Sequence, residues 1–422
     1  MTDHSNHTTK RTSARVVAGS LLGGVASAIA LVAVPFADGG EATITGAILL
    51  GLAIGWALLA MLSTRLGDGS HRCAAVPAAV LGLTAAALII LTPSTQALDT
   101  LGWIWPPLLL GLVLWMTAQT RRQAPSHRRS WLLYPVFAVM AFSAVGCSYE
   151  TVQTGAGRAA APVSGDRLFD VGGHRLNIRC IGSGSPTVVL EPGLGESATA
   201  IARRIAPGVA RTTRVCVYDR AGHGRSDVAP DADAARDLHV LLERAHVPGP
   251  YVMVGHSLGG MFALSYAHRY PSEIGGVVLL DSMHPRQSHT AASGMGPLLA
   301  VVPTLARTGI ARLLADPNEG APTAQARQFV RDVEQMPDQL NRAAQLTSLG
   351  NRPLGVVTAG KDSEPGWTAH QNDLAALSDN AFHRTVAGST HQSLIDDQKD
   401  AAASSRAIRD IVVAVRNEQA TK

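Results

Sequence analysis

The hydrophobic pattern along the chain changes character near residue 147. Before that point, five apolar stretches contain no Asp, Glu, Lys, Arg or His, and they lie at about residues 16–36, 43–62, 73–91, 101–118 and 131–147. A helix needs roughly 20 residues to cross about 30 Å of hydrocarbon, a length that the last stretch barely reaches. The pattern therefore predicts a tail over residues 1–15, followed by an all-α transmembrane region of about five helices over residues 16–147.

The cations of this first region fall on alternate connections. They lie in the N-terminal tail and in the second and fourth connections, as Lys10, Arg11, Arg15, Arg65, Arg72, Arg121, Arg122, Arg128 and Arg129. Basic segments remain in the cytoplasm, so a multi-pass protein of the cell membrane with a cytoplasmic N-terminus is expected. After an odd number of spans, the rest of the chain is extracytoplasmic. Because the spans carry no ionisable residues, which usually mark transport paths, we expect them to anchor the protein.

The second region has an α/β pattern. Residues 148–166 are mostly small or polar and predict a linker of limited structure. From Arg167 onward, short strand patterns alternate with helical ones, which is typical of a layered α/β architecture. RLFDVGGHRLNIRCIG predicts a hairpin turned by Gly172 and Gly173, and apolar runs such as PTVVLEPG predict strands buried on both faces. The predicted sheet is mostly parallel, so loops at the carboxyl ends of its strands should form the site.

The stretch YVMVGHSLGG places a serine between a predicted strand and a predicted helix. Ser257 has Gly255 and Gly259 two positions to either side, and this GxSxG pattern forms a sharp turn that exposes the serine above the sheet. An ordinary strand-to-helix turn is the alternative, but the flanking strand and helix favour a nucleophile elbow. The sequence therefore predicts Ser257 as a nucleophile.

The segments DRAGHGRSD, PYVMVGHSLGG and LLDSMHP closely resemble the esterase, lipase and aminopeptidase-like branch of the α/β-hydrolase superfamily. The resemblance covers residue 167 to about residue 415 and leaves out the membrane region. It implies a mostly parallel eight-stranded sheet with its core at residues 167–281 and 353–417. The helical patterns of residues 282–352 correspond to that family's cap, which should choose the substrate.

The same resemblance implies that an acid and then a histidine follow the serine along the chain. His391 comes after the last strand pattern, AFHRTVAG, in the loop from which the family's base reaches the elbow. Asp362 directly follows LGVVTAG and is the favoured acid, with Asp281 at the end of GGVVLLD as the alternative. The acid would hold the imidazole in the required tautomer.

An oxyanion hole requires two backbone donors that are already in place. The residue after the nucleophile, Leu258, supplies one of them. The other should be the N–H of Leu194, in the turn where many relatives have His-Gly and this chain has Pro192-Gly193. The Leu194 N–H is still present with this sequence, but the histidine side chain that often braces the turn is absent.

Several classes of function are disfavoured. The chain has no HExxH, paired CxxC, GxxxxGK[ST] or suitably placed GxGxxG motif, so neither a metal ion nor another cofactor is expected. Residues 148–422 contain 27 Lys and Arg against 27 Asp and Glu, so no nucleic-acid partner is expected. The expected partners are the lipid bilayer and a small-molecule ester or lipid substrate.

The sequence thus predicts a membrane-anchored serine hydrolase that acts on carboxylic esters through an acyl-serine intermediate. A proline-type aminopeptidase or amidase on the same fold is one alternative. A non-catalytic membrane sensor with a hydrolase-like ligand-binding domain is the other. The family's strand order would also let Cys180 face Cys216 across two antiparallel strands, which leaves a disulfide and a pair of free thiols both open.

Overall fold

The structure is a computed structural model that describes residues 2–37, 39–65, 73–123, 133–159, 165–229, 231–287, 296–309, 322–361 and 365–421. The chain forms two compact units. Unit 1 comprises residues 1–159 and 292–326, and unit 2 comprises residues 160–291 and 327–422.

The N-terminal part of unit 1 is entirely helical. Its helices are α1 (Thr2–Ala33), α2 (Glu41–Arg65), α3 (Ala75–Leu91), α4 (Thr95–Leu101), α5 (Trp105–Gln123) and α6 (Leu133–Ala159). Small residues bring the first two helices together, since a Cβ on Gly24 would lie only 2.9 Å from the Cα of Gly55. Close backbone approach through glycine is typical of helices that pack within a membrane.

Among the described residues, three helical segments are long and apolar enough to cross a membrane: Arg15–Ala33, Glu41–Arg65 and Leu133–Val152. A fourth span is possible if α4 and α5, which are bent by 42° at the break between them, count as one. Helix α3 has 17 residues and is shorter. Each of the five apolar stretches lies largely on a helix, but the predicted count of five spans is not confirmed.

Helix α6 continues well beyond the predicted end of its span at residue 147 and reaches Ala159. The first part of the predicted linker is therefore helical. Its polar side chains fit a helix because they bond back to the preceding turn, where Ser148 Oγ donates to Ala144 O at 2.9 Å and Thr151 Oγ1 donates to Cys147 O at 2.8 Å.

Unit 2 is built on one eight-stranded sheet. Its strands are β1 (Arg167–Asp170), β2 (Arg175–Ile181), β3 (Thr187–Glu191), β4 (Val215–Tyr218), β5 (Tyr251–His256), β6 (Ile274–Leu280), β7 (Leu354–Ala359) and β8 (Ala381–Val386). Their order is β1-β2-β4-β3-β5-β6-β7-β8, and β2 runs antiparallel to both of its neighbours while the other pairs are parallel. The predicted hairpin and the mostly parallel eight-stranded sheet are confirmed.

Helices cover both faces of this sheet. The remaining α-helices among the described residues are α7 (Ala198–Val209), α8 (Ala234–Arg244), α9 (Gly259–Arg269), α10 (Gly296–Arg307), α11 (Pro322–Ala343), α12 (Trp367–Ala375), α13 (Ser393–Asp396) and α14 (Gln398–Ala420). Strands β3, β4 and β5 are buried at every position, as continuous apolar runs predict. A core of aliphatic residues from the strands, α7 and α14 fixes the sheet beneath the carboxyl ends of its strands.

The insertion predicted as a cap is divided between the two units. Helix α10 belongs to unit 1, whereas α11 lies in unit 2 from residue 327 onward. Within unit 1, the Arg307 guanidinium lies 2.7 Å from Glu41 Oε1 and 3.1 Å from Asp99 Oδ1. The hydroxyls of Thr45 and Thr304 are 2.9 Å apart, so the insertion contacts α2 at two places.

Cys180 and Cys216 form a disulfide that joins β2 to β4. The antiparallel register pairs these two residues directly, and their Cα atoms are 4.0 Å apart. The structure therefore selects the bridged alternative of the two that the sequence left open.

Candidate active site

Ser257 lies at a sharp turn between β5 and α9. Its backbone adopts the left-handed conformation with φ of 53°, which is costly for a residue with a side chain and is characteristic of functional sites. Both flanking glycines are needed, because a Cβ on Gly255 would overlap the backbone of Gly259, and a Cβ on Gly259 would overlap the carbonyl of Glu191. The predicted elbow glycines thus allow β5, α9 and β3 to meet beneath the serine.

His391 lies beside this elbow, in the loop after β8. The carbonyl oxygen of His391 is 3.1 Å from His256 Nε2, and the two imidazole centroids are 4.5 Å apart. The His391 side chain is 42% exposed, so its ring remains accessible. The loop after β8 therefore places His391 next to His256, the residue that directly precedes Ser257.

Asp281 is the carboxylate that contacts this histidine. Its Oδ2 lies 2.6 Å from His391 Nδ1, while its Oδ1 accepts hydrogen bonds from Trp367 Nε1 at 2.7 Å and from the Ala359 N–H at 3.0 Å. Burial opposes ionisation of Asp281, but the bonds from His391 and Trp367 outweigh it and lower the pKa of the carboxyl. An ionised Asp281 fixes the imidazole with Nδ1 protonated and leaves Nε2 free for chemistry.

The sequence favours Asp362 over Asp281 as the acid, whereas the described contact of His391 is made by Asp281. Asp362 itself lies outside the described residues. A further sign distinguishes Asp281, since its backbone has φ of 42°, the same left-handed region that Ser257 adopts. An aspartate held in this conformation at a strand end is another of the strained positions that cluster at functional sites.

The turn after β3 lies against the elbow. A Cβ on Gly193 would be 3.0 Å from the Cβ of Ser257, so only glycine allows this approach without displacement. The N–H groups of Leu194 and Leu258, the two predicted oxyanion donors, make no hydrogen bond to any residue that the structure describes. Both backbone donors are thus available on the two segments that flank the serine.

His256, the residue directly before Ser257, is paired with a carboxylate of the oxyanion turn. It is fully buried, and its Nδ1 forms an ion pair with Glu196 Oε1 at 2.8 Å. Burial would lower the pKa of His256, but the Glu196 carboxylate outweighs it and raises the pKa. The only sequence signal for this pair is the position of Glu196, three residues after Gly193 in the predicted oxyanion turn.

Side chains of the DRAGHGRSD turn contact the segments next to the candidate site. Asp219 accepts hydrogen bonds from Asn177 Nδ2 at 3.0 Å and from the Arg225 N–H at 3.1 Å. Arg220 and His223 instead contact Asp332 of α11, at 3.1 and 2.9 Å. Asp332 gives no signal in the sequence because it lies among other charged residues of an amphipathic helix.

The described residues bring together no group of three or more His, Cys, Asp or Glu side chains that could hold a metal ion. The expectation that the chemistry requires neither metal nor cofactor stays a prediction.

Residues 186–372 match the family model described as the alpha/beta hydrolase fold. This part of the chain is an α/β-hydrolase domain. As the sequence resemblance implied, the strands that carry Cys180 and Cys216 are antiparallel neighbours.

Individual relatives cover less of the chain. The uncharacterized protein YbdG of Bacillus subtilis is 32% identical over 128 residues, which are 28% of this chain and 38% of that protein. An uncharacterized protein of Schizosaccharomyces pombe is 38% identical over 82 residues, which are 18% of this chain and 15% of that protein. The chain thus spans well under half of the length of these curated relatives.

Among solved structures, a thermophilic esterase from Thermogutta terrifontis is similar, with 19% identity and a TM-score of 0.45 over 57% of this chain and 94% of that chain.

Proposed function

We propose that the α/β-hydrolase domain is a serine hydrolase that cleaves carboxylic esters through an acyl-serine intermediate. Ser257 is the nucleophile, His391 the base, and Asp281 the acid in place of Asp362. The 2.6 Å contact between His391 Nδ1 and Asp281 Oδ2 carries the proposal, because it gives the base a defined tautomer beside a strained serine. The family match supports a hydrolytic function in general terms.

In the proposed reaction, His391 Nε2 removes the Ser257 hydroxyl proton as Oγ attacks the ester carbonyl carbon. The imidazolium is stabilised by Asp281, and the negative charge on the carbonyl oxygen is stabilised by the N–H groups of Leu194 and Leu258. Each such donor commonly contributes about a hundredfold to a thousandfold in rate. The imidazolium then protonates the leaving alcohol, and water hydrolyses the acyl-serine by the same steps with His391 again acting as base.

The carboxylates around the elbow favour an ester over the free amino terminus of a peptide. An aminopeptidase needs an anionic group to bind the substrate ammonium. Three described carboxylates of unit 2 near the oxyanion turn and the base already have partners: Glu196 has His256, Asp281 has His391, and Asp332 has Arg220 and His223. None of these three is left to bind a substrate cation.

A membrane-anchored, extracytoplasmic placement of this domain is also a proposal. The cations on alternate connections support it, and so does the Cys180–Cys216 disulfide, which persists in oxidising compartments. Within unit 1, Arg307 contacts Glu41 and Asp99, which belong to the connections without Lys or Arg. An impermeant protease should cleave the C-terminal domain in intact cells, and protection until lysis would contradict the orientation.

The test of the enzymatic proposal is turnover of a panel of p-nitrophenyl esters and amino-acid p-nitroanilides by the full chain in detergent. Wild-type protein should cleave esters, and both Ser257→Ala and His391→Ala should abolish this turnover. Ser265→Ala is a matched control, since Ser265 is a buried serine of α9 whose hydroxyl donates to the Met261 carbonyl. Cleavage of the anilides alone would instead support an aminopeptidase, and absence of any turnover would support a non-catalytic sensor.

A further inference from the structure

The oxyanion turn has a carboxylate bonded to the amide on each side of Leu194. The Gly193 N–H donates to Glu196 Oε2 at 2.7 Å, and the Gly195 N–H donates to Asp332 Oδ2 at 2.8 Å. The Leu194 N–H between them has no acceptor among the residues that the structure describes. The two flanking amides are therefore fixed, and the middle one remains available to a substrate.

Glu196 is held in place by the residue that precedes the nucleophile. His256 Nδ1 lies 2.8 Å from Glu196 Oε1, and His256 Nε2 lies 3.1 Å from the His391 carbonyl oxygen. Because each ring nitrogen lies close to an acceptor oxygen, a doubly protonated imidazole would place its positive charge beside Glu196. The His256 ring thus lies between the oxyanion turn, the elbow and the loop of the base.

Asp332 is held by two side chains of the DRAGHGRSD turn. It is fully buried, and its Oδ1 lies 3.1 Å from Arg220 Nη2 and 2.9 Å from His223 Nε2. Arg220 Nη1 also donates to the Pro192 carbonyl at 2.9 Å, so this group of residues restrains the turn on both sides of Leu194. From α11, Phe329 packs against Gly195, where an added Cβ would lie 3.2 Å from the ring.

We propose that Glu196 and Asp332 are positioning residues that hold the Leu194 N–H toward the developing oxyanion. They substitute for the His-Gly brace that the Pro192-Gly193 sequence lacks. The proposal rests on the ester-hydrolase function proposed above.

The cationic partners are a necessary part of this arrangement. A carboxylate next to an oxyanion hole repels the charge that forms there, and this repulsion is strong in a buried site. A protonated His256 offsets the charge of Glu196, and the Arg220 guanidinium offsets that of Asp332, so each carboxylate can orient an amide without opposing the reaction. An uncharged replacement should therefore disturb the orientation of the donor and remove one negative charge from beside a buried base.

The experiment compares Glu196→Gln and Asp332→Asn with the wild-type full chain and with Asp237→Asn. Asp237 is a matched control, since it is buried like Asp332 and lies 3.0 Å from His174, on a helix that contacts the edge strand β1. For the two positioning variants, kcat should fall roughly 10-fold to 100-fold with KM within about twofold, as expected when an interaction acts mainly in the transition state.

The second readout is the inhibition constant of a trifluoromethyl ketone that forms a tetrahedral adduct with the serine. It should rise by the same factor as kcat falls in both variants and stay unchanged in Asp237→Asn. Unchanged kcat and ketone affinity would overturn the proposal, as would losses that follow only the melting temperature. If Asp332→Asn does not fold, Glu196→Gln decides the outcome alone.

The wild-type protein separates this proposal from the broader one. Absence of ester turnover and of reaction with a fluorophosphonate in the wild type would overturn the hydrolase function itself. An active wild type with unaffected positioning variants would overturn only the role of Glu196 and Asp332.

Discussion

Asp281 Oδ2 lies 2.6 Å from His391 Nδ1, across 110 residues of sequence. The carboxylate approaches from the end of β6 and the imidazole from the loop after β8. The side chain of Asp281 is 4% exposed, and its second oxygen is bound by Trp367 and by the Ala359 amide. The Asp281 carboxylate is therefore fixed in place, and water cannot readily displace it from His391.

The first prediction concerns which acid serves His391. Asp281→Asn should lower kcat for ester turnover on the order of 10³-fold to 10⁴-fold, because an amide can stabilise the wrong imidazole tautomer and cannot neutralise the imidazolium. Asp362→Asn is the comparison, measured under the same conditions, and it should change kcat less than about threefold. A larger loss in Asp362→Asn than in Asp281→Asn would restore Asp362 as the acid.

The second prediction concerns the pH dependence of stability at Asp332. Burial opposes its ionisation, but the Arg220 charge and the His223 hydrogen bond outweigh it and lower the pKa from 3.8 to about 2. A depressed folded-state pKa contributes stability above the unfolded value near 4, and that contribution is lost as pH falls toward 2. It amounts to about 2 kcal/mol at neutral pH, since one pKa unit corresponds to about 1.4 kcal/mol.

Thermal unfolding of the wild type and of Asp332→Asn should therefore show a gap in melting temperature that is constant from about pH 7 to pH 5 and narrows toward pH 2. Asp237→Asn serves as the control, since Asp237 is also buried but lies beside His174 in another part of unit 2. A gap that stays constant through the acid range would show that Asp332 is not held in its ionised form by its partners.

The third prediction concerns the Cys180–Cys216 bridge. Non-reducing digestion and mass spectrometry should recover the two cysteines in one cross-linked peptide, while Cys73 and Cys147 are alkylated without reductant. Replacing both bridged cysteines by serine should lower the free energy of unfolding by about 2–4 kcal/mol. Alkylation of all four cysteines before reduction would contradict the bridge and weaken the extracytoplasmic placement.

The fourth prediction concerns the docking of the insertion within unit 1. Because the hydroxyls of Thr45 and Thr304 are 2.9 Å apart, Thr45→Cys with Thr304→Cys should form a disulfide when Cys73 and Cys147 are replaced by serine. Thr45→Cys with Val302→Cys is the control, since Val302 is on the exposed face of α10. Equal cross-linking of the two pairs would mean that α10 has no fixed orientation on α2.

The positions of Ser257 and His391 at the candidate site could be predicted because they depend on the order of elements. Ser257 follows a buried strand and precedes a helix, and His391 follows the last strand pattern. The identity of the acid depends on distance instead. Asp281 and Asp362 follow neighbouring strands of one sheet, and hydrophobic periodicity gives no information about which carboxylate meets the imidazole.

The supporting contacts were harder to predict for the same reason. Asp332 reaches Gly195 across 137 residues, and its helix shows only amphipathic periodicity. Helix ends are similarly uncertain, as the extension of α6 to Ala159 shows. In this extension the sequence is typical of a linker, but the polar side chains of Ser148 and Thr151 form hydrogen bonds to the helix backbone.

The central claim is that Ser257 attacks the substrate through His391, and the most direct measurement is identification of the residue that reacts with a fluorophosphonate. The full chain in detergent would be labelled, digested and analysed by mass spectrometry, with His391→Ala and Ser265→Ala treated in parallel. The adduct should lie on Ser257 alone, form at the wild-type rate in Ser265→Ala, and form at least 100-fold more slowly in His391→Ala. An adduct on another residue, or unmodified Ser257 in a folded wild-type protein, would contradict the account.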